Sequence, residues 1–166
     1  MTDEQLKNAV APCGILCYTC FGYIDGGIPY HAKKLLELYR GWYSGHVTGY
    51  GDDPTPEQKE KLERIRIFIE MLKELTLEGR EHCDGCHKCE GKHGGCIPGC
   101  IVPDCTKEHG VDYCAFCPSF PCEKEIPYGG WLDANRYIKE HGLAEFFETH
   151  KNRAHYLDCV IDELDP

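Results

Sequence analysis

The chain has 166 residues, 13 of them cysteine, and a formal net charge of −10, with 42% hydrophobic and 28% charged residues. That size suits one domain, and the balance of apolar and charged residues excludes a disordered chain. The acidic charge argues against nucleic acid as a partner, since phosphate binding needs clustered Lys and Arg, and no apolar run is long enough to span a membrane.

The opening MTDEQLKNAV is polar and acidic. It lacks the basic and apolar stretches of a secretory signal, so a cytoplasmic location is expected. It reads as a short leader, helical at most up to Pro12. CGILCYTC follows, from Cys13 to Cys20, and then FGYIDGGIPY, a glycine-rich loop. In HAKKLLELYRGW, Leu35, Leu38, Tyr39 and Trp42 recur at helical spacing and predict an amphipathic helix over 31–42. GWYSGHVTGYG carries four glycines between Gly41 and Gly51 and is expected to be a loop. Its Trp42, Tyr43, His46 and Tyr50 are read as aromatics of a connector, not as a lid over a small molecule. Asp52 and Asp53 fall beside it as solvated carboxylates.

The strongest helix signal covers 56–78. Thr55 is a fitting N-cap, Pro56 takes the first helical position and Gln58 completes a capping box. Leu62, Ile65, Phe68 or Ile69, Leu72 and Leu75 mark its apolar face, and Gly79 is a suitable terminator. A third helical part covers 131–157, as WLDANRYIKEHG closed by Gly142 and then LAEFFETHKNRAHYL. Leu143, Phe146, Phe147 and Tyr156 form the expected buried side of the second half. Cys159, beside Leu157 and Val160, reads as a small buried hydrophobe.

Between these helices the composition changes. Nine cysteines fall between Cys83 and Cys122, together with many Gly and Pro, while large apolar residues are few. Such a segment cannot bury enough surface to offset its own ordering entropy, so a covalent or metallic link has to hold it. The odd cysteine count and the missing export signal weigh against disulfides. The cysteines fall instead into four tight clusters: Cys13, Cys17 and Cys20; Cys83, Cys86 and Cys89; Cys96, Cys100 and Cys105; and Cys114, Cys117 and Cys122. C-x-x-C spacing lets two sulfurs face one ion while turn N–H groups point at the thiolates. These twelve are the candidate metal ligands. Their number suits three four-coordinate zinc sites, and two sites with spare cysteines fit equally well.

Iron–sulfur is the rival cofactor. Cys83, Cys86 and Cys89 have the first three positions of bacterial ferredoxin spacing, and Cys13, Cys17 and Cys20 have the radical-SAM spacing. A chain of this length has no room for a radical-SAM barrel beside so much cysteine-rich loop. Ferredoxin-like electron transfer stays open; zinc is the preferred metal, with an iron–sulfur cluster as the alternative, since thiolates serve both. His82, His87, His93 and His109 lie among the cysteines and could each replace one thiolate; each is read as a solvated loop histidine.

Together these features predict a mostly α domain with irregular cysteine-rich loops, a small metal-stapled α fold with minor β content. One domain spans 1–166, and its cysteine-rich metal-binding lobe, 83–122, is joined by 13–20. CGILCYTC is expected to pack onto the later lobe, because three cysteines leave one tetrahedral position to fill. Three functions suit such a chain: a structural or regulatory adaptor held by zinc, an iron–sulfur electron carrier or redox sensor, and a metalloenzyme with one open metal position. The partner is a protein or a small molecule. Nucleic acid is not expected, because Glu81 to Gly130 holds eight acidic and four basic residues, and metal thiolates deepen the negative potential.

Four of these motifs carry a resemblance: CGILCYTC, CDGC at Cys83–Cys86, CIVPDC at Cys100–Cys105 and YCAFCPSFPC at Tyr113–Cys122. With the later helix IKEHGLAEFFE, they resemble the family catalogued as domain of unknown function 3795. That family comprises small cysteine-rich proteins of bacteria and archaea, and the resemblance implies zinc binding. It covers Cys13 to about His150 and departs at Pro103, where the family pattern often has arginine. Cys89 and Cys159 fall outside the shared set. The resemblance implies a metal and a fold, and it implies no reaction.

Overall fold

The computed structural model describes residues 1–88, 97 and 99–153. The leader forms α1, Asp3–Ala9, and its start is fixed by a capping box. Thr2 Oγ1 accepts from the Gln5 N–H, and Gln5 Oε1 accepts from the Thr2 N–H. The chain then runs extended through Val10, which bridges Leu16, and turns through a 3-10 segment at Cys17–Thr19.

Helix α2 spans Gly27–Gly49, so it both contains the predicted 31–42 helix and overruns it at each end. The expected loop GWYSGHVTGYG is corrected: it is helical through Gly49. Side-chain packing overrides its glycine content. Trp42 lies against Tyr39 on one side and against His46 on the other, and His46 against Tyr50, making a ladder of rings at i,i+3 and i,i+4. Lys61 from the next helix sits 5.7 Å over the Trp42 ring. The predicted apolar face of α2 is also corrected. The buried stripe is Ala32 and Leu36, with Tyr39 and Tyr43 packed beside them, while Leu35, Leu38 and Trp42 are exposed. Both stripes have the helical period, and the one with the small Ala32 is the one turned inward.

Helix α3, Pro56–Leu75, begins on the expected Thr55–Gln58 capping box. It lies along α2 as a helical hairpin. Ile65, Ile69 and Leu72 are its buried stripe, and Phe68 and Leu75 remain exposed. The helix stops at Thr76, before Leu77 takes a positive φ.

The cysteine-rich segment holds a helix of its own, α4, Val102–Glu108, against the expectation of loop throughout. Pro103 near its start hides it from a periodicity reading, yet proline is compatible with a first turn. Cys114–Phe116 forms a second 3-10 turn. Helices α5, Trp131–His141, and α6, Leu143–His150, are separated at Gly142, whose φ is 85°. Phe146 and Phe147 are buried as expected. Tyr156 and Cys159 lie outside the described residues. Among the described residues, extended pairing is limited to two isolated bridges. The second joins Tyr23 to Cys83 in parallel.

The core follows from this order. One cluster joins the α2–α3 hairpin to itself. A second packs Val10, Tyr113 and Ala115 against Ala134 and Ile138 of α5 and Phe146 of α6. A third is lined with sulfur and lies where the N-terminal motif meets the later cysteines.

Candidate functional site

Three segments far apart in sequence build the sulfur-lined core. The N-terminal motif comes first. Gly14, at φ +90°, lets the chain double back, and its N–H bonds the Ala11 carbonyl at 2.8 Å. A Cβ there would stand 2.8 Å from Ala134 Cβ, so only glycine lets the motif lie this close to α5. The Cys17–Thr19 turn then closes with the Cys20 N–H on the Cys17 carbonyl, 2.9 Å.

The second segment is the Cys83–Cys86 turn. It is tied to the first by two backbone bonds, Cys83 N–H to Gly22 O at 2.8 Å and Ile24 N–H to Cys83 O at 3.1 Å. Gly85, at φ +88°, donates its N–H to Cys83 Sγ at 3.3 Å. The third segment is the Cys114–Phe116 turn, whose closing bond runs from the Cys117 N–H to the Cys114 carbonyl, 3.0 Å. Its Cys114 N–H bonds the Pro12 carbonyl at 2.9 Å, so the N-terminal motif is clasped from both sides.

Asn135 locks this arrangement and was not singled out by the sequence reading. It is fully buried on α5. Its Nδ2 donates to Cys13 O at 2.7 Å and to Trp131 O at 2.8 Å, and its Oδ1 accepts the Ala115 N–H at 2.9 Å. Its signal in the sequence is a polar residue on the apolar stripe of α5, between Ala134 and Ile138.

The candidate ligands fall into neighbourhoods. Cys13, Cys17 and Cys114 are buried together, with Cys20, Cys86 and Cys100 packed against them. The Cys17 thiol hydrogen-bonds Cys86 and holds it down, to about 7, against the effect of burial. Cys17 and Cys83 both face the buried Tyr23, whose phenol is raised chiefly by burial. Around Cys114 stand Cys105, Cys117 and Cys122. Burial pushes the Cys114 thiol up, and the Trp131 indole N–H opposes that rise. This N–H is buried and meets no partner in ordinary hydrogen-bond geometry, so it is placed to serve a charge at the Cys114 sulfur. Lys124 Nζ donates to Cys105 Sγ at 3.2 Å and is itself raised by that contact.

Cys89 and Cys96 lie outside the described residues, as does His93. The described histidines of the segment all pair with backbone carbonyls, and two also face side chains: His109 Nδ1 lies 3.8 Å from Cys105 Sγ and His82 Nε2 3.4 Å from Asp84 Oδ1. His87 is half-buried, not solvated, with its Nε2 3.1 Å from the Val10 carbonyl, and burial lowers it, so the neutral ring donates there. His82 and His109 pair through Nδ1 with the carbonyls of Arg80 and Cys105, both at 2.8 Å.

The ten described cysteines are thiols, with none in a disulfide. Among the described residues, no three His, Cys, Asp or Glu side chains are drawn together as the ligands of an ion are. The donor chemistry nonetheless suits a thiophilic ion: the neighbourhoods are rich in sulfur, with His109 Nδ1 beside Cys105 Sγ, and the groups aimed at them are the Gly85 N–H, the Trp131 N–H and the Lys124 ammonium.

The model of a family described as a protein of unknown function (DUF3795) matches residues 9–126. The chain belongs to this family. The match takes in all of the sulfur neighbourhoods and the hairpin, and it ends before α5, the helix that carries Asn135. No curated protein and no solved structure matches the chain. No helix among the described residues is long and apolar enough to cross a membrane.

Proposed function

We propose that this chain is a thiolate metal-binding protein, with zinc as the metal, in which the ion holds the cysteine-rich lobe and the protein acts as an adaptor. The observation that carries this reading is the gathering of cysteines from three distant segments into one core, with Cys17 hydrogen-bonded to Cys86 across the Tyr23–Cys83 bridge. Cys17, Cys20, Cys83 and Cys86 would supply one four-sulfur set. Cys105, Cys114, Cys117 and Cys122 would supply a second, with Cys13 and Cys100 beside them. Zinc bound there would replace the missing apolar core of the lobe by metal–sulfur bonds.

The test is anaerobic purification followed by elemental analysis. About two zinc ions per chain are expected from four-thiolate counting, a narrower figure than the cysteine total permits. Stoichiometric iron with acid-labile sulfide would replace this reading by an electron carrier or redox sensor. Absence of both metals would end it. A titration with single- and double-stranded oligonucleotides at low salt should show no binding in the micromolar range, because the lobe carries excess acid.

A further inference from the structure

Helix α2 presents Leu35, Leu38 and Trp42 on the flank beside its buried stripe, and α3 presents Phe68, Met71 and Leu75 at the same three- and four-residue steps. The helices run antiparallel, and the two stripes lie side by side. Leu35 and Leu75 line one cavity at the end nearest Tyr18 and Phe147. Further out, Tyr39 lies against Phe68, with ring centroids 4.8 Å apart, and Lys61 sits over the Trp42 ring. The six side chains therefore share one face of the hairpin. All six are exposed, Leu38 by 72% and Met71 by 57%. The hairpin core of Ala32, Leu36, Ile65, Ile69 and Leu72 forms without them.

The size of this face points to a macromolecular partner. At about 200 Å² for each large side chain, the exposed fractions amount to roughly 600 Å² of apolar surface. That is the top of the range for the largest patch on an ordinary monomer. A homodimer contact is about 65% apolar, so such a face would bury about 900 Å² on each partner, against the roughly 800 Å² of a stable complex.

The charge distribution selects the partner. Residues 27–75 hold eight basic and eight acidic side chains, so the hairpin is neutral and the whole formal charge of −10 lies outside it. Two copies of the chain repel one another through the acidic remainder and can meet along this element without that repulsion. A strongly basic partner would instead be drawn to the acidic remainder.

We propose that two copies of this chain dimerise through this face, their hairpins packing as a four-helix bundle about a two-fold axis, with the same six residues buried on both sides. The inference stands apart from the metal reading, since none of the candidate ligands lies in 27–75.

The test is sedimentation equilibrium of the full chain under reducing, anaerobic conditions, which keep intermolecular disulfides from forming. At about 100 μM the expected mass is twice the chain mass of 18.9 kDa. A chain that stays monomeric there would overturn the proposal. Leu38 and Met71 are exposed in the single chain, so an L38E/M71E variant should keep its far-UV helical signal while its dimer dissociation constant rises at least about a hundredfold. A dimer of unchanged affinity in that variant would place the contact elsewhere and overturn the proposal. A second measurement leaves the face otherwise native: a benzophenone amino acid at position 38, irradiated in a mixture with an isotope-labelled copy. The expected product joins the position-38 peptide of one copy to a 27–75 peptide of the other. Product confined to one chain, product with any segment outside 27–75, or no product would each overturn the proposal.

Discussion

The hairpin and the cysteine-rich lobe solve the same problem by opposite means. The hairpin closes on itself through Ala32, Leu36, Ile65, Ile69 and Leu72, all contributed by two regular helices. The lobe and its neighbours bury scattered side chains, such as Val10, Tyr23, Val102 and Asn135, from segments far apart in sequence, and those segments are joined by hydrogen bonds about a hundred residues apart. Apolar packing along a helix is set by local period. A lobe poor in large apolar side chains has to draw its order from partners that the local sequence does not name.

This contrast can be broken most severely at sulfur. If metal supplies the missing core, Cys114→Ser should cost more than about 4 kcal/mol, beyond an ordinary substitution, with a matching loss of bound metal. Urea unfolding and elemental analysis of the same sample would check it. Unchanged metal content and unchanged melting would place the stability of the lobe elsewhere. Asn135→Ala follows, at about 3 kcal/mol, because it strands the buried Ala115 N–H and the Cys13 carbonyl together. Its denaturation midpoint should drop while metal content persists at low temperature.

Leu36→Ala in the hairpin should cost about 2–3 kcal/mol through the cavity it leaves, and it should leave the metal in place. Loss of metal from this variant would show that the two regions are not independent. The smallest effect has the opposite sign. Gly45 lies inside α2, where an added Cβ would meet nothing, so Gly45→Ala should stabilise by about 0.5–1 kcal/mol, read as a raised melting temperature.

How far the sequence was legible follows the same division. Helix α3 was readable to within a few residues, because Thr55, Pro56 and Gln58 declare its start and its apolar residues repeat cleanly. Helix α2 was half readable. Its glycines at 41, 45 and 49 advertise a loop, yet four-residue spacing stacks them along one open side, where they cost helix propensity and no packing. Its inward face was misassigned because Leu35, Leu38 and Trp42 outweigh Ala32 and Leu36 in bulk. In the lobe, C-x-x-C spacing pointed to Cys17–Cys20, Cys83–Cys86 and Cys114–Cys117 as turns. Which turns sit together was not legible. The Cys83 bonds to Gly22 and Ile24 are backbone bonds, and they leave no mark on side-chain identity. Helix α4 was hidden by its proline and cysteine content, and Asn135 looked like one more polar residue of an amphipathic helix.

Asn135 also sets an order in time. The Cys13 carbonyl it holds lies 122 positions earlier in the chain, and the Ala115 N–H lies 20 positions earlier. During synthesis from the N-terminus, every one of the ten described cysteines leaves the ribosome before the Asn135 side chain that ties Cys13 to Ala115. The nascent lobe therefore passes through an interval as an open set of thiols, exposed to whatever metal or oxidant the surroundings offer, until α5 arrives to shut it.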